Sequence, residues 1–128
     1  MRLLLDTHTF LWFTATPGNL SETALDALND PGNDVLLSMA SAWEMSIKAG
    51  LGKLGLSQKV VPFVRSQAAI NGFQILPISL DHIALIDDLP LHHRDPSDRL
   101  LVAQAMAEDI PIVSIDAVLD AYSVQRVW

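Results

Sequence analysis

Short apolar runs alternate along the chain with longer segments in which apolar residues recur every three or four positions. The short runs predict buried strands, and the longer segments predict amphipathic helices. The predicted strands cover 2–5, 34–38, 73–79 and 110–116, with the tail 123–128 as a fifth. The predicted helices cover 8–15, 21–30, 40–54 as far as the glycines at 50, 52 and 55, 57–72, 79–89 and 95–110.

Strands that are separated by helices favour a parallel sheet with helices on both faces. The sequence therefore predicts an α/β fold, a three-layer sandwich around a central, mainly parallel sheet of four to five strands. Local signals support the helix boundaries, because Ser21 and Ser79 are typical N-caps and Pro96 suits a first helical turn. In such sheets, ligands bind at the carboxyl ends of the strands.

Length and composition are typical of one domain over residues 1–128. Half of the residues are hydrophobic and mean hydropathy is +0.30, but no run approaches the roughly 18 apolar residues of a membrane span. The chain has no cysteine, which excludes disulfides and thiolate metal sites. These features predict a cytoplasmic protein without a membrane partner.

The net charge of −7 argues against a basic protein that binds nucleic acid through its own positive surface. It leaves open an enzyme that acts on nucleic acid through bound cations. Four basic residues lie near the acids described below, and each is either a phosphate contact or a solvated surface charge. They are Lys48, Lys53, Arg94 and Arg99.

Acidic residues end or interrupt apolar segments at positions that the predicted topology brings to one edge of the sheet. Asp6 ends the first strand, and Asp116 ends the fourth. Glu44 lies in an otherwise apolar part of the third helix, where an acid is costly to bury without a partner or a cation. Asp98 lies in the first turn of the last helix, and Asp95 precedes it by three residues.

Each of these acids also has an ordinary structural interpretation. Asp6 can be a turn or cap residue, and Asp95, which precedes a proline, is favoured as an N-cap. Asp98 can complement a helix dipole, and Glu44 can pair with Lys48 one turn later. These interpretations explain the acids one at a time, but they do not explain why the inferred topology brings four of them to one edge.

Carboxylates that crowd together repel one another, and a divalent cation removes that conflict. Oxygen ligands suit Mg²⁺ or Mn²⁺, and such a cation polarises a phosphodiester and lowers the pKa of a water molecule. The acids therefore predict metal-dependent phosphodiester hydrolysis. The hydroxyl side chains that we expect to orient carboxylates or water are those of Thr7, Ser38, Ser41 and Ser114.

The histidines and glycines carry weaker signals. His8 is expected either near the site or at a helix cap, whereas His92 and His93 precede Asp95 in a loop and are expected at the surface. No pair of histidines has the spacing of a transition-metal site. The glycines of GLGKLG follow a helix instead of opening one, which excludes a phosphate-binding loop of the P-loop kind.

Several segments resemble the PIN-domain toxins of the VapC type, in order over essentially the whole chain. They are LLLDTHTFLW, SMASAWEMSIKAGLGKL, HHRDPSDRLLVAQA, IVSID and YSVQRVW. The resemblance implies a PIN-like α/β ribonuclease that uses Mg²⁺ or Mn²⁺ and acts as the toxin of a type II VapBC toxin–antitoxin pair. It implies catalytic and metal-binding roles for Asp6, Glu44, Asp98 and Asp116, with Asp95 in support.

The same resemblance implies a homodimer, an RNA substrate and a VapB-type antitoxin whose tail fills the acidic groove. Ser97 stands where an aromatic residue is frequent in that family, while every acid is in place. Two other functions remain open from the sequence. A non-catalytic module that binds a partner through its acidic pocket is the first. The second, a phosphoacceptor receiver domain, fits less well because no lysine follows Lys59.

Overall fold

The computed structural model describes all residues from 1 to 128 and contains a five-stranded sheet. Its strands are β1 (Arg2–Leu5), β2 (Asp34–Ser38), β3 (Gln74–Leu76), β4 (Ile112–Val113) and β5 (Arg126–Val127). All neighbouring strands are parallel, in the order β3-β2-β1-β4-β5, so that β1 is central. The predicted α/β sandwich is confirmed, and the tail of the chain supplies the fifth strand.

Six α-helices flank the sheet. They are α1 (Thr7–Ala15), α2 (Glu22–Asn29), α3 (Met39–Gly50), α4 (Val60–Asn71), α5 (Leu80–Ile86) and α6 (Pro96–Glu108). Two short 3₁₀ turns cover Pro17–Asn19 and Ala117–Ala121. None of the helices combines the length and the apolar character that crossing a membrane would require.

Most element boundaries follow the chain's local chemistry. Ser21 and Ser79 cap α2 and α5 as predicted, and α3 ends at Gly50, the first of three closely spaced glycines. The prediction for β3 was too long, because the strand stops at Leu76 and the following Pro77 has no N–H to donate to a neighbouring strand. Helix α4 likewise begins at Val60 instead of 57.

Both faces of the sheet are covered, because alternate side chains of a strand point to opposite sides. On one face Leu3 and Leu5 pack with Phe10 of α1 in a cluster that also includes residues of α2 and α4. On the other face Leu4 packs in a second cluster with residues of α6 such as Leu101. All five side chains are fully or almost fully buried, so the central strand is fixed between two helical layers.

The register of the central strands decides what meets at the carboxyl edge of the sheet. Leu5 at the end of β1 pairs with Val113 at the end of β4. The residues that follow these two strands therefore lie side by side. They are Asp6 and Ser114, and the backbone N–H of Asp6 donates to the Val113 carbonyl at 3.1 Å.

Candidate metal centre

Two acids from neighbouring strands are joined by one serine at the carboxyl edge of the sheet. Asp6 is 5% exposed and caps α1 by accepting the His8 N–H at 3.3 Å. Its Oδ2 accepts a 2.5 Å hydrogen bond from the Ser114 hydroxyl. The same hydroxyl accepts the backbone N–H of Asp116 at 3.0 Å. Ser114 therefore sets the position of both acids that follow the strands.

Two further acids enter the same site from helices. Asp98 lies in the first turn of α6, whose N-cap is Asp95. Asp95 accepts the N–H groups of Ser97 and Asp98 at 2.9 and 3.1 Å, which confirms its predicted capping role. Glu44 of α3 is only 6% exposed, and carboxylate oxygens of Glu44, Asp95 and Asp98 lie within 4.8 Å of one another.

Asp98 is the electrostatic centre of this group of acids. Burial, helped by the nearby carboxylates of Asp6, Asp95 and Glu44 and opposed by His93, raises the pKa of its carboxyl from 3.8 to about 7. A carboxylate of Asp116 also lies within 4.8 Å of one from Asp98. Asp98 therefore lies close to Glu44 and Asp116, and the charge of Asp6 reaches it as well.

His93 contacts this group of acids, which the sequence did not predict. Its Nε2 lies 2.8 Å from Oδ2 of Asp116 and 3.2 Å from Oδ2 of Asp98. Its side chain is 17% exposed, so the predicted surface position was wrong. One local signal in the sequence could have indicated this position. A histidine two residues before Asp95 can accept the N–H of Asp95, as turn residues do, and this hydrogen bond is present at 3.1 Å.

The other predicted supporting residues divide into two groups. Ser114 is the only one of the four predicted hydroxyls that forms a hydrogen bond with a predicted acid. Thr7 donates to Ser41 at 2.9 Å, which ties the start of α1 to α3. Ser38 has a different role, because it caps α3 and donates to the buried Gln104 of α6. The His8 ring is exposed and packs beside Trp12.

The predicted basic residues differ in how free their charges are. Lys48 lies 3.5 Å from Glu44, the ordinary helical pair that the spacing allowed. Lys53 and Arg94 are exposed. Arg99 instead directs its guanidinium to four loop carbonyls, an arrangement that neither of the two interpretations of its charge described. The carbonyls are those of Ile86, Leu89, Pro90 and His93.

The donor set fits a hard divalent cation. The converging groups are carboxylates and the His93 ring, and burial together with repulsion among the carboxylates raises the pKa of Asp98 to about 7, so that it is partly protonated near neutral pH. Mg²⁺ and Mn²⁺ prefer such oxygen ligands, and a cation bound here would displace that proton and relieve the repulsion. The acids that would hold it are Asp6, Glu44, Asp98 and Asp116.

Replacing Ser114 tests whether this hydroxyl orients the acids. We expect Ser114→Ala to weaken Mn²⁺ binding about tenfold or more, because Asp6 loses its hydrogen bond and the Asp116 N–H loses its acceptor. Isothermal titration calorimetry measures the affinity directly. Ser46 is exposed on α3, so Ser46→Ala is the matched control and should bind Mn²⁺ like the unchanged protein. Equal affinities in both variants would contradict the role given to Ser114.

Comparisons with known proteins agree on the family and the fold. The family model described as PIN domain matches residues 3–124. VapBC2 from Rickettsia felis, solved bound to a DNA fragment from its promoter, is similar over all of both chains, with a TM-score of 0.67 at 16% identity. FitAcB from Neisseria gonorrhoeae matches over 97% of this chain and 95% of its own, with a TM-score of 0.64 at 20% identity.

A third solved structure, VapBC-1 from nontypeable Haemophilus influenzae, matches over 98% of this chain and 96% of its own. Its TM-score is 0.65 at 14% identity, so this likeness, like the other two, concerns the fold. No curated protein matches the chain significantly by sequence.

Proposed function

The chain belongs to the PIN domain family, and we propose that it is a metal-dependent ribonuclease that acts as the toxin of a type II VapBC toxin–antitoxin pair. PIN domains are typically nucleases that use divalent metals. The proposal takes residues 1–128 as one catalytic domain. Membership of the PIN domain family also argues against the alternative of a phosphoacceptor receiver domain.

The observation that carries the proposal is the meeting of the acids around Asp98. Carboxylate oxygens of Glu44 and Asp116, which are far from Asp98 in sequence, lie within 4.8 Å of it, and its pKa of about 7 reflects burial and the charges of the neighbouring acids, Asp6 included. A purely structural role leaves this repulsion without a purpose. A cation-binding role explains both the crowding and the choice of carboxylates.

We assign the cation as Mg²⁺ or Mn²⁺, held by Asp6, Glu44, Asp98 and Asp116. When bound, it supplies positive charge to the scissile phosphate and makes water a better nucleophile. The protein's own contribution is preorganisation. Each oxygen of Asp6 already accepts one hydrogen bond, from Ser114 or from the His8 N–H, so this carboxylate does not reorient when substrate binds.

RNA must reach an acidic protein, and two exposed cationic side chains support that step. Lys53 and Arg94 are exposed and have no ion-pair partner. We propose that they contact phosphates on either side of the cut bond. Since RNA substrates and an antitoxin partner are intracellular, we place the protein in the cytoplasm.

Exposed apolar residues support protein partners. A stripe along one side of α3 and its end, spaced four residues apart, is 44% to 65% exposed and consists of Met39, Trp43, Ile47 and Leu51. An exposed apolar surface of this kind is typical of an interface. The structural relatives include VapBC proteins, and we propose a VapB-type antitoxin and a second copy of this chain as the partners.

RNA cleavage tests the proposal. The purified protein should cleave RNA in Mg²⁺ or Mn²⁺ and lose that activity in EDTA. Asp6→Asn and Glu44→Gln should each reduce cleavage at least about tenfold, because each variant removes a charged ligand without changing its size. Sequencing the ends of the products would identify the cut sites.

Asp26 is exposed on α2, which makes Asp26→Asn the matched control, and it should cleave RNA normally. Cleavage at the original rate by both site variants would disprove the proposed site. If the unchanged protein cleaves none of a broad RNA pool with either metal, the non-catalytic acidic module becomes the better interpretation.

A further inference from the structure

His93 is held beside the acids through its ring, its backbone N–H and its carbonyl. Its Nδ1 accepts the backbone N–H of Asp95 at 3.1 Å. Its Nε2 faces Oδ2 of Asp116 at 2.8 Å and Oδ2 of Asp98 at 3.2 Å. Its backbone N–H donates to the Tyr122 hydroxyl at 2.8 Å, and its carbonyl accepts from Arg99 at 3.4 Å.

The bond from Asp95 fixes which ring nitrogen of His93 carries the proton. A backbone N–H can only donate, so Nδ1 must offer its lone pair. An imidazole with that lone pair carries its proton on Nε2, which makes Nε2–H a donor to Oδ2 of Asp116, while Oδ2 of Asp98 lies 3.2 Å from the same nitrogen.

The same bond argues against a metal-ligand role for His93, although a nitrogen of His93 and carboxylate oxygens of Asp98 and Asp116 lie within 4.8 Å of one another. A neutral histidine that ligates through Nε2 must carry its proton on Nδ1. That proton would face the Asp95 N–H directly, donor against donor. The ring can therefore ligate a cation only if the loop between His93 and Asp95 rearranges.

That loop is braced against rearrangement. The Tyr122 hydroxyl accepts from the His93 N–H and donates to the Pro90 carbonyl at 2.9 Å. Arg99 donates to the carbonyls of Pro90 and His93 from the other side. Asp95 is anchored as well, because its carboxylate caps α6. The backbone N–H and carbonyl of His93 are therefore both held, and the residues on either side of the ring, Pro90 and Asp95, are fixed as well.

We propose that His93 is a positioning residue whose Nε2–H donates to Oδ2 of Asp116 and lies against Oδ2 of Asp98, so that both oxygens are held in a preset arrangement for the cation. The inference rests on the proposed metal-dependent nuclease function. It keeps the site free of nitrogen ligands, so that the donors are oxygens only and hard cations such as Mg²⁺ and Mn²⁺ are favoured over Zn²⁺. It also gives Asp95 a defined part, because its backbone N–H fixes the ring of His93.

Two substitutions separate the two ends of the ring. The amide nitrogen of glutamine takes the place of Nε2, so His93→Gln keeps a neutral donor for the carboxylates and loses the acceptor for Asp95. The amide oxygen of asparagine takes the place of Nδ1, so His93→Asn keeps the acceptor and loses the donor. We expect His93→Asn to weaken Mg²⁺ binding by about 10- to 100-fold in calorimetry. The Mg²⁺ affinity of His93→Gln should stay within about threefold of that of the unchanged protein.

Kinetics give a second readout. Cleavage by His93→Asn should recover when Mg²⁺ is raised, with the KM for RNA unchanged, because the lost donor acts on the cation's ligands and not on the substrate. Circular dichroism and thermal unfolding establish that both variants fold. A His93→Asn variant that is folded and binds Mg²⁺ as tightly as the unchanged protein would overturn the proposal.

Nuclear magnetic resonance of protein labelled with ¹⁵N in histidine reads the tautomer directly at pH 8. The His93 signals, identified by their absence in His93→Asn, should show a proton on Nε2 both without metal and with saturating Mg²⁺. A proton on Nδ1, or loss of the Nε2 proton when Mg²⁺ binds, would overturn the proposal. If Mg²⁺ binds with these signatures but no RNA is cleaved, the nuclease function fails while the positioning role stands.

Discussion

Asp98→Asn should reduce metal-dependent RNA cleavage by more than about a hundredfold and, in the same protein, stabilise the metal-free fold at pH 8. The loss exceeds that of Asp6→Asn or Glu44→Gln, because Asp98 belongs to both groups of converging ligand atoms and is affected by the charge of Asp6. The gain in stability comes from the same crowded position of Asp98. Asparagine keeps the shape of the side chain and removes the charge that burial and the neighbouring carboxylates oppose.

The sign of the stability change follows from proton binding. The pKa of the Asp98 carboxyl is about 7 in the folded protein and 3.8 ordinarily. From about pH 4 to about pH 7 the folded protein holds a proton that the unfolded chain releases, so the free energy of unfolding falls as pH rises through that window. The full difference in pKa corresponds to about 4 kcal/mol. Because the side chain is 22% exposed, we expect Asp98→Asn to recover about 1–2 kcal/mol at pH 8.

Urea denaturation in EDTA at pH 5 and pH 8 measures this gain, which should be clearly smaller at pH 5. Asp26→Asn removes an exposed charge and should change stability by less than about 0.5 kcal/mol at either pH. A gain of equal size at both pH values would mean that it does not come from ionisation of Asp98. Saturating Mg²⁺ should reverse the order, because the cation stabilises the unchanged protein and binds the variant weakly.

The fold was predictable from the sequence because its main elements have strong local patterns. The three leucines of β1 alternate between two cores, and the segment that forms α6 combines an N-cap, a proline in the first turn and an apolar face. What failed were the ends of short elements. Strand β3 stops before Pro77 and β4 has only two residues, since their lengths depend on pairing with neighbours that the local pattern does not specify.

The acids were predictable for a similar reason, and their surroundings were not. Asp6 and Asp116 follow strands that are adjacent and parallel, so a topological rule places them together. His93 and Arg99 bind mainly to backbone groups of the loop that precedes α6, which has no regular structure. Charge alone left Arg99 as either a phosphate contact or a solvated surface charge. Only the folded loop reveals that its carbonyls take up the guanidinium.

Arg99→Met should lower the free energy of unfolding by about 2–3 kcal/mol, because the hydrogen bonds that it removes are to a charged donor and they fix one loop. Arg99 donates to the Pro90 carbonyl at 3.0 Å and to those of Ile86, Leu89 and His93 at 3.3 to 3.4 Å. Methionine fills the space of the side-chain stem but offers no donor, so these carbonyls must find water or move. Urea denaturation at constant pH measures the loss.

Arg65 is exposed on α4 and has neither an ion pair nor a hydrogen bond through its side chain, so Arg65→Met is the matched control and should lose less than about 0.5 kcal/mol. Loosening the loop also releases His93, so Arg99→Met should weaken Mg²⁺ binding together with stability.

A phosphate contact would behave in the opposite way. Stability and Mg²⁺ affinity would be unchanged, while the KM for RNA would rise and depend less on salt, because one fewer cation would meet the backbone. That outcome would favour a phosphate contact for Arg99 and contradict its role in holding the loop that precedes α6.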